Sequence, residues 1–226
     1  HLSTKVNKPM DVFGGVWHDY QNKLLKGWSE TVSESDTVVI PGDISWATYM
    51  EDADKDFLFL EKLPGNKIIL KGNHDYWFET ANKLNLFFEK LNIKTIKLLH
   101  NSFFNYEDIA ICGTKGADMT KIPTSDNAKM LENREKLRLE NSLKQAEKEG
   151  YEKKYVFLHY PPMIKGGKYN DNPFTKLMQE YNVEKCFYGH LHSRSHNVAI
   201  CEQFSGTEYR LISADFINFT PFLIKS

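Results

Sequence analysis

Four short apolar runs end in the same way, and that pattern constrains the fold most. Thr37-Val38-Val39-Ile40 runs into Pro41-Gly42-Asp43, and Lys67-Ile68-Ile69-Leu70 runs into Gly72-Asn73-His74-Asp75. Tyr155-Val156-Phe157-Leu158 runs into His159, and the run from Lys185 to Tyr188 into Gly189-His190-Leu191-His192. Short runs rich in β-branched and aromatic residues, stopped by glycine, proline or a polar residue, read as strands. Amphipathic stretches separate them. Asp11 to Val32 is predicted helical because Val12, Val16, Tyr20, Leu24 and Trp28 recur every four residues. Asp54 to Leu63 and Phe78 to Leu91 are two further predicted helices. Strand, helix and strand in alternation favour parallel pairing, and α/β sheets gather their sites in the loops at the carboxyl ends of strands. Segments far apart in sequence can converge there.

The second half changes texture. Ile96 to Phe104 and Ile109 to Cys112 are predicted to form a β-hairpin around Asn105-Tyr106-Glu107-Asp108. Ser125 to Glu149 is a long helix whose charges alternate in sign, which marks a solvated face. Phe174 to Tyr181 is a short helix. Val198 to Cys201, Tyr209 to Ser213 and Phe222 to Ile224 read as strands. With 226 residues, no repeat and no linker, a single α/β domain over 1–226 is the economical expectation.

The net charge of -1 gives nothing that would draw long nucleic acids or anionic membranes. The three cysteines, at 112, 186 and 201, form no C-x-x-C. That count excludes a disulfide framework and a cysteine zinc site, and it fits reduced thiols in the cytoplasm. No apolar stretch reaches the ~18 residues of a membrane-spanning helix, and no signal peptide is visible.

What the strand ends carry is a set of oxygen and nitrogen donors: His1, Asp43, Asn73, His159, His190 and His192. Carboxylate, amide and imidazole suit manganese, iron, zinc, cobalt or nickel, and no thiolate competes. One catalytic ion needs three protein ligands and an open position. Six candidates fit two ions that share one carboxylate. A shared carboxylate must be short and stiffly held, and Asp43, directly after a strand and a glycine, suits the role. His18, His100 and His196 read as ordinary polar residues, with His196 nearest the set in sequence.

Taken in order, G-D, G-N-H-D, a lone histidine and G-H-x-H resemble the calcineurin-like metallophosphoesterase superfamily over positions 1 to 192, and most closely its small bacterial predicted phosphohydrolases. The resemblance implies a four-layer α/β/β/α sandwich with two mixed sheets and a dinuclear metal site at the strand ends. It implies one ion on His1, Asp43 and His192, and a second on Asp43, Asn73, His159 and His190. It implies hydrolysis of phosphate monoesters or diesters by a bridging hydroxide, with His74 as an acid outside the ligand set and Asp75 orienting and charge-stabilising it. The expected partner is a small phosphorylated substrate. The family's D-x-H block needs an aspartate two residues before His1, so an upstream segment carrying it is expected.

Departures narrow the branch. The arginines that protein phosphatases of the superfamily carry after G-D and before G-N-H are absent, and Lys71 replaces the second. Arginine and lysine are not equivalent where a phosphate is held bidentately, so a phosphoprotein substrate is disfavoured. Trp46 stands where purple acid phosphatases have a tyrosine. The loops from Gly113 to Ala128 (Lys115, Lys121) and from Pro161 to Asn172 (Lys165, Lys168, Tyr169) are candidate substrate walls, and Gly166-Gly167 would let the second move as a lid. Trp46, Tyr76 and Trp77 could stack on a substrate ring or pack in the core. Two rival readings stand beside the enzyme: an interaction scaffold that has lost catalysis, and a nuclease of short nucleic acids. Scaffold members of the superfamily replace the G-N-H histidine, so His74 favours the enzyme.

Overall fold

Glycines decide where the first helix begins. The structure, a computed structural model, describes every residue except 6, 7, 121 and 226, and the chain divides into two units, 1–98 with 214–226, and 99–213. In the first unit the helix expected from Asp11 instead runs from Tyr20 to Thr31 (α1). Gly14 and Gly15 both take positive φ, 64° and 56°, and split the preceding segment into two 3-10 turns. Val12 and Val16, which extended the helical spacing in sequence, are exposed.

Thr37–Ile40 (β1), Asp54–Glu61 (α2), Asn66–Ile69 (β2), Ala81–Lys90 (α3) and Ile96–Leu98 (β3) follow. The strands form a parallel sheet in the order β1-β2-β3, with Ile40 paired to Ile69 at its carboxyl end. Thr80 sets the start of α3, its hydroxyl accepting the Lys83 N–H at 3.2 Å. The core of this unit is aromatic: the Phe57 ring meets Trp77 and Phe88 edge-on, each at 5.0 Å between centroids. Phe57 is fully buried. Phe57→Ala should therefore cost about 3–5 kcal/mol of unfolding free energy, read by urea titration. A loss under about 1 kcal/mol would contradict this account of the core.

Ile96 to Phe104 is not one strand. β3 stops at Leu98, Asn101 takes a φ of 58°, and Phe103 begins a strand of the second unit. That unit holds Phe103–Tyr106 (β4), Ile109–Thr114 (β5), Asp126–Lys148 (α4), Lys153–Leu158 (β6), Pro173–Glu180 (α5), Lys185–Tyr188 (β7), Gln203–Phe204 (β8) and Thr207–Leu211 (β9). The sheet runs β4-β5-β6-β7-β9-β8. Its middle pairs are parallel, and both edge pairs are antiparallel hairpins. Two sheets with helices are what the sequence implied; the first is parallel throughout its described strands, and the second is mixed.

The charged helix is less solvated than its composition suggests. Ser125 caps α4 through Ala128 N–H. Glu132, Glu135, Leu139, Ser142, Leu143 and Ala146 form a buried stripe at helical spacing. Glu135 lies within it because Thr114 Oγ1 and Arg138 each donate to it at 2.6 Å.

Of the three tail strands expected, only β9 forms, paired with the short β8. At the expected Val198 to Cys201 strand, the Tyr188 hydroxyl takes both backbone groups of Ile200, accepting from its N–H and donating to its carbonyl at 2.8 Å each. Nothing of Ile200 is left for a ladder. Phe222 to Ile224 forms no strand either, and Leu223 is exposed, with no face to bury. Among the described residues no helix is long and apolar enough to cross a membrane.

Candidate metal centre

In the first unit the loops after β1 and β2 lie side by side because the strands are parallel neighbours. They touch backbone to backbone: a Cβ on Gly42 would lie 2.4 Å from Gly72 N, and one on Gly72 would lie 2.0 Å from Asp43 Oδ1. Only glycine fits at either place. Gly42 (φ 97°) and Asp43 (φ 56°) then turn the chain sharply. Asp43 Oδ1 accepts the His74 N–H at 2.9 Å, and Asp43 Oδ2 lies 3.1 Å from His1 Nε2. Asn73 sits between Gly72 and His74 on the second loop.

Leu2 runs beside the first loop, its N–H donating to the Ile44 carbonyl at 2.7 Å and its carbonyl accepting Trp46 N–H at 3.0 Å. That places the His1 ring flat on Trp46, with centroids 3.9 Å apart. Lys8 Nζ lies 3.6 Å from the Trp46 centroid, so it must take the other face. Trp46 is thus sandwiched and Trp77 is buried, while Tyr76 is 61% exposed. Of the three aromatic residues flanking the motifs, Tyr76 is the one open for stacking. Its hydroxyl lies 3.4 Å from His74 Nδ1.

Asp75 does not pair with the His74 ring. Its Oδ1 accepts the N–H groups of Ile44 (2.7 Å) and Ser45 (3.3 Å) and the Trp77 indole N–H (3.0 Å). Its Oδ2 accepts the N–H groups of Asp43 (2.8 Å) and Gly72 (2.7 Å). Burial pushes the Asp75 carboxyl up, while the N–H groups of Gly72 and Ile44 oppose the shift. All five donors aim hydrogen at the two oxygens, so the packing fits the ionised form. The bonds of Asp75 thus go to the backbone of the two loops and to the Trp77 indole, while its charge still favours the protonated His74 imidazole. Burial holds the His74 imidazole below the usual histidine range, and Asp43 opposes this more strongly than Asp75 does.

In the second unit, β6 ends at Leu158 and the buried His159 follows. β7 ends at Tyr188, and Gly189 N–H reaches back to the carbonyls of Leu158 (3.3 Å) and His159 (3.2 Å). His190 takes a φ of 69°, a costly conformation for a histidine. That turn brings its Nδ1 to 3.3 Å from His159 Nε2. His190 and His192 are therefore loop residues, and their spacing is set by this turn rather than by a strand. Tyr160, which the sequence reading did not single out, lies 4.5 Å from the His190 ring between centroids; its position directly after His159 was the available signal. His196 lies in the 3-10 helix Ser193–Val198 just beyond His192, and His18 is exposed.

The loop after His159 is pinned. Asn170 bonds both backbone groups of Ile164, and the buried Asn172 donates to the carbonyls of Pro162 (2.7 Å) and Tyr169 (2.8 Å). Gly167 permits the tight turn, since a Cβ there would lie 2.6 Å from Asn170 Oδ1. Of the lysines expected on the loops, Lys121 lies outside the described residues. Lys71 Nζ lies 5.0 Å from the Phe78 centroid.

These residues fit a divalent metal. His1 Nε2 is buried and has no hydrogen-bond partner among the described residues, although Asp43 Oδ2 is only 3.1 Å away. Buried polar atoms are seldom left so, and a cation held by both atoms would satisfy them. The His159 and His190 nitrogens likewise face each other at a spacing suited to two ligands of one ion.

Among solved structures, the protein TT1561 of Thermus thermophilus aligns with a TM-score of 0.51 at 15% identity, covering 80% of each chain. A second solved chain gives a TM-score of 0.52 at 15% identity, covering 80% of this chain and 83% of that one. AQ665 from Aquifex aeolicus covers 89% of this chain and 80% of its own at 16% identity, with a TM-score of 0.47. At such identities the first two likenesses are ones of fold. No curated protein matches the chain significantly. The calcineurin-like phosphoesterase family matches residues 13–194. The chain belongs to that family, whose members are in general metal-dependent phosphoesterases.

Proposed function

We propose that the protein hydrolyses monoesters or diesters of small phosphorylated substrates with two divalent transition-metal ions: manganese, iron, zinc, nickel or cobalt. The observation that carries the reading is the donor set: Asp43 and Asn73 follow β1 and β2, and His159 and His190 follow β6 and β7. In this reading His1, Asp43 and His192 hold one ion, and Asp43, Asn73, His159 and His190 hold the other. Bound there, the pair would supply an ionised water near neutral pH and offset charge on the phosphoryl oxygens.

The chain's own residues supply the rest. His74 stays outside the ligand set. The Tyr76 hydroxyl beside its Nδ1 leaves Nε2 as the atom to carry a proton to the leaving oxygen. Gly42 and Gly72 let the two loops of the first unit approach closely enough to hold Asp43 beside the His74 backbone. Tyr76 offers an exposed ring to a substrate. The free, buried Cys112, its thiol pushed up to about 12 by burial, and the free, buried Cys186 fit a reducing compartment such as the cytoplasm.

The test compares nitrophenyl phosphate with bis(nitrophenyl) phosphate on metal-stripped protein, adding back each of the five metals singly. Hydrolysis should vanish on stripping and return with at least one metal. Hydrolysis that survives complete stripping would overturn the reading. Silence with every metal on both substrates would favour the scaffold.

A further inference from the structure

We propose that Asp75 is a positioning residue for Asp43, acting through the backbone of the loop after β1. The inference rests on the reading of Asp43 as a metal ligand. A carboxylate next to a catalytic histidine in sequence invites the idea of a proton-relay pair. Here the geometry sends it elsewhere. Both oxygens of Asp75 are filled by hydrogen bonds from Asp43, Ile44, Ser45, Gly72 and Trp77. Three of these donors are consecutive backbone N–H groups of the loop that carries Asp43, and a fourth belongs to the neighbouring loop. The side chain is wholly buried. The contact at His74 Nδ1 is the Tyr76 hydroxyl instead.

The clamp answers a backbone need. Asp43 sits in the left-handed region, φ 56°, where a non-glycine residue persists only if its surroundings hold it. The N–H that Asp43 presents in that conformation is the one Asp75 Oδ2 binds. A second buried carboxylate holds the same segment from another side. Asp56 accepts the Ser45 hydroxyl and the Thr4 N–H. Asp43 is thus aimed by groups that touch neither a substrate nor its own carboxylate.

Asparagine cannot replace this carboxylate. Whichever way its amide turns, an NH2 group meets at least two N–H donors: those of Asp43 and Gly72, or those on Oδ1. Asp75→Asn should weaken Mn2+ binding to the full chain by about 10–100-fold in calorimetric titration, the usual cost of losing a group that orients a metal ligand. At saturating Mn2+ its pH–rate profile should keep the wild-type shape. Unchanged Mn2+ affinity with lost turnover would overturn the proposal and return Asp75 to a role with His74. If Asp75→Asn does not fold by circular dichroism, Trp77→Phe decides. That variant removes one of the five donors to Asp75 and should weaken Mn2+ binding by less than the roughly 10–100-fold of losing the whole group, whereas wild-type affinity would overturn the clamp. The outcomes separate from those of the proposed function: wild-type protein that binds no Mn2+ removes the metal reading itself, whereas wild-type binding that Asp75→Asn leaves intact removes only the positioning role.

Discussion

Asp43→Ala should leave a folded protein that retains neither ion. Among the donors proposed for the two ions, Asp43 alone is charged; the others are imidazoles and an amide. In the proposed site two divalent cations would repel each other, and the carboxylate they share would be the group that offsets the repulsion. Removing it leaves each ion with neutral donors only, so the loss extends to both. The fold should tolerate the change, since alanine in a left-handed conformation costs only about 1–2 kcal/mol. Elemental analysis after dialysis reads the outcome, with circular dichroism as the control. Two metals per chain in this variant would show that the ions do not depend on a shared carboxylate.

His74→Ala should do the reverse, keeping the metals and losing turnover. Loss of a positioned general acid typically costs about 10²–10⁴-fold. The size should depend on the leaving group. A nitrophenolate departs readily without a proton, whereas an alkoxide does not. The loss should therefore sit near the lower end for nitrophenyl phosphate and grow for an alkyl phosphate. Equal losses on both substrates would mean that His74 acts on binding or metal placement, and an unimpaired variant would remove it from the chemistry.

The strands that carry the donors were legible because their signals are local. A β-branched run cut by glycine or proline needs no tertiary knowledge, and β7 falls on the predicted residues, Lys185 to Tyr188. The errors came where backbone freedom or a distant group decides. Valine at helical spacing predicted a helix through Gly14-Gly15, but spacing counts side chains and ignores backbone freedom. The segment from Ile96 to Phe104 hid a passage between sheets, because the apolar residues at its two ends serve either sheet equally. Val198 to Cys201 read as a strand because no sequence rule shows that the Tyr188 hydroxyl would occupy the backbone of Ile200. At the site, which residues follow strands could be read directly. What Asp75 bonds could not, because its adjacency to His74 does not show that N–H groups of the two loops and of Trp77 reach both its oxygens.

The pairing of β1 with β2 fixes more than topology. Neighbouring strands lie about 4.8 Å apart, a spacing set by peptide hydrogen bonds and not by side chains. Asp43 and Asn73 stand a few residues beyond one matched pair, Ile40 and Ile69. The backbone therefore serves as a ruler between these two proposed donors. Core side chains on either strand can be exchanged for others of similar size without changing the length of that ruler. A proline or a register slip in β2 would change it at once, even with every donor still present. The spacing of Asp43 and Asn73 is inherited from the peptide group, the part of the chain that every substitution except proline leaves alone.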